Sequence, residues 1–328
     1  MRVSCRTSVV VVLVPILVAL SGSQARAQAY LPAQGEGAVS VLFSDTFVRY
    51  HYLGATEVDR GRIQSETVLL DVTYGLTDKV AVSFGIPWVA SRYDGVNPHP
   101  LANLTGVQPL DDGAYHNTFQ DFRFDVRYNV VKAKGLAVTP FIGSIVPSHD
   151  YTTFAHAAPG RDLNELQIGV TVAKLLDSVV PGLLVQGSYS YGVVQQVLDI
   201  AHNRSNMSLE VGYFLTPKIR LLALSSGELT HGGIDAPPIT NAILFPEHDR
   251  ITRDQFLNIG GGAAYSLNEK VDIFASLIHT VAARNVHAID RGVSVGLSWS
   301  FSTPRARDRA IADAEHSLVK CLCEKKAM

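Results

Sequence analysis

The chain has 328 residues, 47% of them hydrophobic and only 18% charged, with 26 Gly, 15 Pro, 3 Cys and a formal net charge of -2. Soluble domains carry about a quarter of charged residues, so this apolar chain is no disordered segment, and three cysteines are too few for a disulfide scaffold. A pI near 6.6 argues against a nucleic-acid binder, and the length admits two ordinary domains or one large β domain.

Residues 1–27 read as a secretory signal peptide. Arg2 and Arg6 precede an uncharged run from Val9 to Leu20, and Ala25-Arg26-Ala27 supplies a small-x-small cleavage site, with Ala29 as the alternative. The run is too short to cross a bilayer as a helix, and Cys5 lies too early for a lipoprotein site. Cleavage takes three of the 28 basic residues and no acid, so the net charge moves from -2 to -5.

Beyond the signal no apolar stretch approaches the roughly 20 residues of a membrane helix. Apolar and polar residues instead alternate, which marks strands with one apolar face. The pattern is cleanest over 120–130, where Phe122, Phe124, Val126 and Tyr128 oppose Arg123, Asp125 and Arg127. Taken in chain order, strands are expected over 38–50, 67–74, 80–88, 120–130, 136–146, 165–172, 185–193, 206–215, 219–225, 257–265, 271–277 and 292–301.

Connections around 76–79, 132–135, 176–182, 216–218 and 267–270 are short. Those over 51–65, 91–118, 148–162, 194–204, 226–254 and 282–291 are long and polar. Strict alternation puts all short turns at one end and all long loops at the other, as in bacterial outer-membrane barrels. A Greek-key sandwich has no reason to segregate its loops in this way. The expected fold is all-β: one 12-stranded antiparallel up-and-down transmembrane barrel over 28–302, with short periplasmic turns and long extracellular loops. A partly helical periplasmic tail follows over 303–328.

Lipid is the expected contact of the apolar face. The strands have the roughly 9–11 residues that a tilted strand needs to cross the hydrocarbon layer. Aromatic residues (Trp88, Tyr128, Tyr213, Tyr265, Trp299, Phe301) recur towards strand ends, where interfacial girdles sit.

The segment Gly292-Val-Ser-Val-Gly-Leu-Ser-Trp-Ser-Phe301 resembles the terminal strand signal of Gram-negative outer-membrane proteins, with Val293, Val295, Leu297, Trp299 and Phe301 facing outward. The resemblance implies assembly by the outer-membrane insertion machinery, both termini in the periplasm, and a lipid bilayer with lipopolysaccharide as surroundings. The run from Tyr74 to Trp88 is similar to transporter-like barrels associated with phenol and hydrocarbon degradation. Such barrels often stop at the terminal Phe, whereas this chain continues for 27 residues.

Several motifs are weighed as chemistry. Gly292 to Gly296 fits Gly-x-Ser-x-Gly, but a nucleophile needs a strand-to-helix elbow, and here Ser294 lies inside a strand. Gly260-Gly261-Gly262 lacks the rest of a dinucleotide fingerprint. Of 11 histidines, His51, His99, His116, His149, His156, His202, His231, His248 and His287 fall in or beside the expected outer loops. None has the spacing of a defined site, so no metal ligand and no cofactor is assigned. Cys321-Leu322-Cys323 in the tail either binds a metal with His316, exchanges thiols, or is a chance pair.

The lumen parity carries the functional expectation. Asp71, Asp121, Asp125, Glu165, Glu210 and Asp272 share it with Arg123 and Arg127, while the direction of Arg220 is left open. Side chains fill eight-stranded barrels and 16 strands leave a wide channel, so twelve strands rich in inner Gly, Ser and Thr fit a narrow pore. Its acid excess favours cations or polar solutes. The expected function is a passive channel or transporter for small solutes, with no enzymatic site. Its competitors are a barrel plugged by its own Asp-Arg pairs, a non-conducting surface barrel whose His-containing loops bind a partner or metal, and an outer-membrane hydrolase.

Overall fold

The computed structural model describes residues 29–96, 110–236 and 241–312. The signal peptide, His99, His316, Cys321 and Cys323 lie outside the described residues. Fifteen strand segments form one sheet: β1 (Glu36–Leu53), β2 (Thr56–Val58), β3 (Arg62–Gly75), β4 (Val80–Asp94), β5 (His116–Phe119), β6 (Phe122–Tyr128), β7 (Val131–Ala133), β8 (Leu136–Val146), β9 (Glu165–Leu175), β10 (Leu183–Val194), β11 (His202–Thr216), β12 (Ile219–Gly232), β13 (Gln255–Ser266), β14 (Val271–Arg284) and β15 (His287–Ser302). The short β2 folds back on β1, and β5, β6 and β7 are successive pieces of one wall strand. The wall therefore has twelve antiparallel strands, each paired with its neighbours in sequence. It closes where β1 meets β15, from Glu36↔Ser302 to His51↔His287.

The alternation decides which face is which. On β15, Trp299 is 47% exposed while its neighbour Ser298 is 1% exposed. Val41, Phe43, Ile142, Ile168, Val295 and Leu297 are likewise exposed, which in water would leave a large apolar belt uncovered. A belt of this kind around a closed barrel is a lipid-facing surface. On the inner face, hydroxyls pair across strands: Ser40 with Ser298 (2.9 Å), Ser44 with Ser294 (2.8 Å), Thr73 with Ser83 (2.9 Å) and Ser188 with Ser208 (2.6 Å). The serine of the Gly-x-Ser-x-Gly run is thus a wall hydroxyl. No helix among the described residues is long and apolar enough to cross a membrane.

Three sequence expectations change. β1 has 18 residues and β15 has 16, more than a crossing requires, so their outer ends project beyond the hydrocarbon layer. The strand expected over 120–130 is broken at Gln120 and Asp121, where Gln120 donates its N–H to the carbonyl of Pro87 (2.9 Å). The long loop expected over 282–291 is only Asn285 and Val286, because β14 and β15 continue to either side. Asn285 takes the left-handed conformation (φ 51°), which an Asn tolerates. Its side chain accepts the N–H of Gly54 (2.6 Å) and donates to Asp235 (2.9 Å), tying three outer connections together.

The segment ahead of β1 enters the periplasmic end of the lumen. Ala29 is fully buried against Ala137, Ala173 and Leu184, and its carbonyl accepts from Asn129 (3.1 Å) and Thr139 (2.7 Å). After β15, a helix over 304–312 starts with Pro304 in its first turn and with Thr303 Oγ1 accepting the N–H of Ala306 (3.3 Å). The sequence suggests a helix over 308–320, and the observed one starts four residues earlier. Arg309 reaches from it to the backbone carbonyl of Gln34 (2.6 Å).

Inward glycines make room for large inward side chains. The ring of Phe274 lies over Gly296 so closely that a Cβ there would stand 2.1 Å from it, and Phe141 covers Gly169 in the same way (2.5 Å). The inner face is therefore mixed, polar with apolar rings laid flat on glycine. Gly296→Ala is expected to destabilise the barrel by about 1–3 kcal/mol through overpacking. Urea unfolding in micelles measures the loss, and Phe274→Leu in the same chain should recover most of it.

Candidate functional site

The charges of the inner face fall into groups set by the strand order. On the arc of β3, β4 and β6, Asp71, Gly85 and Arg123 share one level of the ladder. A Cβ on Gly85 would stand 3.5 Å from Asp71 Oδ2 and 3.6 Å from Arg123 Cβ, so the glycine leaves a gap between the two charges. One step towards the periplasm, Arg127 grips Asp125 with two bonds (Nε to Oδ1 2.7 Å, Nη2 to Oδ2 2.8 Å). Bidentate pairs of this kind are the strongest charge-assisted contacts a carboxylate makes. Arg123 itself is exposed, although it sits inside a closed wall.

Across the lumen, Arg220 does point inward and is 4% exposed. It lies along Gly212, whose Cβ would meet its side chain at 3.2 Å, and reaches Glu210 at 3.7 Å. Asp272 accepts a hydrogen bond from Ser266 (2.5 Å).

At the outer end, two long connections fold into the mouth. Arg161, between β8 and β9, pairs with Asp254, between β12 and β13, and lies 3.5 Å from Glu228 on the wall. Arg204 stands between Glu165 (3.6 Å) and Glu228 (3.9 Å). Arg250 donates to the carbonyls of Arg161 and Asp162 (both 3.0 Å), locking one connection to the other. Asp121 accepts from the Tyr151 hydroxyl (2.5 Å), and burial together with this bond holds the Tyr151 phenol above its ordinary range.

The eight charges read from the lumen parity thus take different parts. Asp71, Arg123, Asp125 and Arg127 form one cluster on the inner wall. Glu210 and Asp272 are bonded locally on the opposite arc, and Asp121 and Glu165 anchor the inward-folded connections. Val293, Val295, Leu297 and Trp299 of the terminal strand face outward, and Phe301 packs beside Trp299 (ring centroids 5.6 Å apart) and Tyr74 (6.4 Å). Sequence reading missed Glu228, Arg204, Arg161 and Asp254, although the first two sit on even positions that share the lumen face with Glu210 and Arg220.

The histidines divide in the same way. His116 is partly exposed beside Asp112 (2.8 Å), as a loop residue would be. His51 and His156 are buried and meet His287, with ring centroids 4.2–4.9 Å apart. Positions so far apart in the chain carry no spacing signal.

No protein-family model matches the chain, and no curated protein matches it in sequence. Among solved structures, an outer membrane channel from Pseudomonas putida F1 superposes with a TM-score of 0.63 at 12% identity, over 83% of this chain and 97% of that one. The translocator domain of the autotransporter NalP from Neisseria meningitidis gives 0.47 at 14% identity (88% and 97%), and the NanC porin 0.46 at 10% (80% and 98%). At 12% identity the first likeness is one of fold. With the lipid-facing belt and the closed wall, it shows this chain to have the closed antiparallel barrel fold of that outer membrane channel.

Docking of the outer connections depends on pH. Burial pushes Asp254 up to about 6, against the attraction of Arg161. An undocked aspartate titrates near 3.9, so the docked form holds the extra proton between about pH 4 and 6. Docking is then weakest above pH 6 and strengthens as pH falls towards 4. Hydrogen-exchange protection factors at the Ile234 and Arg253 amides, which bond across this connection at 3.0 and 2.8 Å, should rise over that interval. Asp254→Asn should flatten the dependence.

Proposed function

We propose that this barrel is a passive outer-membrane channel for small solutes. The observation that carries the reading is the exposure of Arg123 and Ser208, two inner-face residues within a closed wall, which calls for water at mid-lumen. The fold shared with an outer membrane channel supports it. Acids outnumber arginines on the described inner wall: Asp71, Asp121, Asp125, Glu165, Glu210, Glu228 and Asp272 against Arg123, Arg127, Arg204 and Arg220. Cations and polar solutes are favoured by that balance, and the apolar patches at Phe141 and Phe274 narrow the path without charge.

A second reading rests on the two ends of the lumen. Ala29 is buried at the periplasmic end, and Asp254, paired with the partly buried Arg161, is buried at the outer end. A barrel held in this way conducts little until one end opens.

Conductance of the refolded protein in planar bilayers tests both. The expected result is a small cation-preferring conductance. Asp125→Asn leaves Arg127 without its carboxylate, so the reversal potential in a salt gradient should move towards anion preference, and Asp71→Asn should move it the same way. Unchanged reversal potentials would remove this cluster as the filter. Heat-modifiable migration with no conductance would sink the open channel. In that case, conductance gained on deleting residues 29–34 would assign the block to the periplasmic end.

A further inference from the structure

The seam that closes the barrel carries two irregularities. Along β1 and β15, Phe47 faces Arg291 but Val48 faces Ile289, so Asp290 is an extra residue on β15. Val48 faces Ile289 but Tyr50 faces Ala288, so Arg49 is an extra residue on β1. An extra residue turns every following side chain to the opposite face. His51 and His287 share odd parity with the lipid-facing Phe43 and Val295, and without these bulges would point outward. With them, both turn inward as direct cross-strand partners, which puts their Cβ atoms about 4.5–5.5 Å apart.

A third imidazole is brought to them from the connection between β8 and β9. The N–H groups of His156 and Ala157 both donate to the carboxylate of Asp111 (3.0 and 2.9 Å), which fixes the backbone at that point. Tyr93 packs on the His156 ring (5.1 Å), within a buried cluster of Val48, Ile63, Tyr93 and Ala157. One ligand atom from each of His51, His156 and His287 lies within 4.8 Å of those from the other two. Asp249 Oδ1 stands 3.9 Å from His287 Nε2 and 3.3 Å from His248 Nε2, a small side-chain movement away from the position of an outer carboxylate that orients a metal-binding imidazole.

We propose that His51, His156 and His287 bind a first-row divalent transition ion, with Zn2+ as the reference case, and so pin the β8–β9 connection to the closing seam. Neutral imidazoles suit zinc, copper and nickel ions. Three protein nitrogens leave one position of a tetrahedral zinc for water or a solute. Nitrogens on a tetrahedral zinc with bonds of 2.0–2.1 Å stand about 3.3 Å apart, so rotation of the three rings is the adjustment required. Two ligands sit on the rigid wall and the third on the connection that carries Tyr151 and Arg161. Metal binding therefore adds directly to docking of that connection.

The test is Zn2+ titration of untagged, refolded full-length barrel by calorimetry, with Co2+ absorption as a second readout. One equivalent per chain is expected, with a tetrahedral cobalt spectrum and slower protease cleavage of the β8–β9 connection when metal is present. His156→Ala and His51→Gln should each weaken binding by at least about 100-fold, and Asp249→Asn by about 10-fold. His116→Ala, an exposed histidine elsewhere, should leave it unchanged. His156 lies in a connection, so its variant is expected to retain heat-modifiable migration even if a wall variant fails to assemble. Absence of saturable binding, or binding that survives His156→Ala, would overturn the proposal and leave the three rings as a packed stack. Ion conductance plays no part in this readout, so the site and the channel reading stand or fall separately.

Discussion

Closure of the hydrogen-bonded wall is the constraint from which the rest of this protein follows. A strand edge in lipid would leave a row of N–H and C=O groups with no water to bond, at several kcal/mol each. The pairing of β1 with β15 removes that edge. Closure sorts every strand residue to one of two faces. The apolar half meets lipid, and the polar half is enclosed with nothing but itself and water for company. The low charge of the composition is a consequence, since one face of twelve strands has no use for charge.

Enclosure explains how the inner charges are arranged. Within the lumen an unpaired ion is costly, and the wall supplies partners two residues along a strand, as for Arg127 and Asp125, or on the neighbouring strand, as for Arg220 and Glu210. Glycine provides the geometry. Gly212 lets the arginine lie along the wall, and Gly85 opens a gap between Asp71 and Arg123. What remains is a lumen in which Arg123 of the charged cluster at β3 and β6 is exposed, while two connections fold into its outer end.

That outer end is where the regular barrel gives way to specific structure. Bulges at Arg49 and Asp290 reverse the facing of the last residues of the seam. Two connections dip inward and meet in the pair of Arg161 with the buried Asp254, while the Asn285 side chain ties the β14–β15 turn to Gly54 and Asp235. A twelve-stranded cylinder is wide enough to admit loop segments but too narrow to leave them loose, so their polar groups must find partners on the wall.

Much of this was legible in the sequence. Period-two alternation located the twelve wall strands, and the alternation of short and long connections sorted the turns to one end of the barrel and the loops to the other, because both are consequences of local pleat and chain reversal. Facing of Asp71, Asp125, Arg127 and Glu210 followed from parity alone. Parity counting fails where a residue is added to a strand. The turn at Asn285 was therefore read as a long loop, and His51 and His287 were grouped with solvated loop residues. No linear pattern could join His51, His156 and His287, nor Arg161 with Asp254. Their meeting depends on barrel closure and on loops folding through the enclosed space, which brings residues more than 90 positions apart into contact. The sequence by itself determined a lipid-facing barrel and the kind of charge inside it. Only the tertiary structure decided which charges pair, which anchor loops and which histidines meet, because those contacts depend on the register of strands distant in the chain.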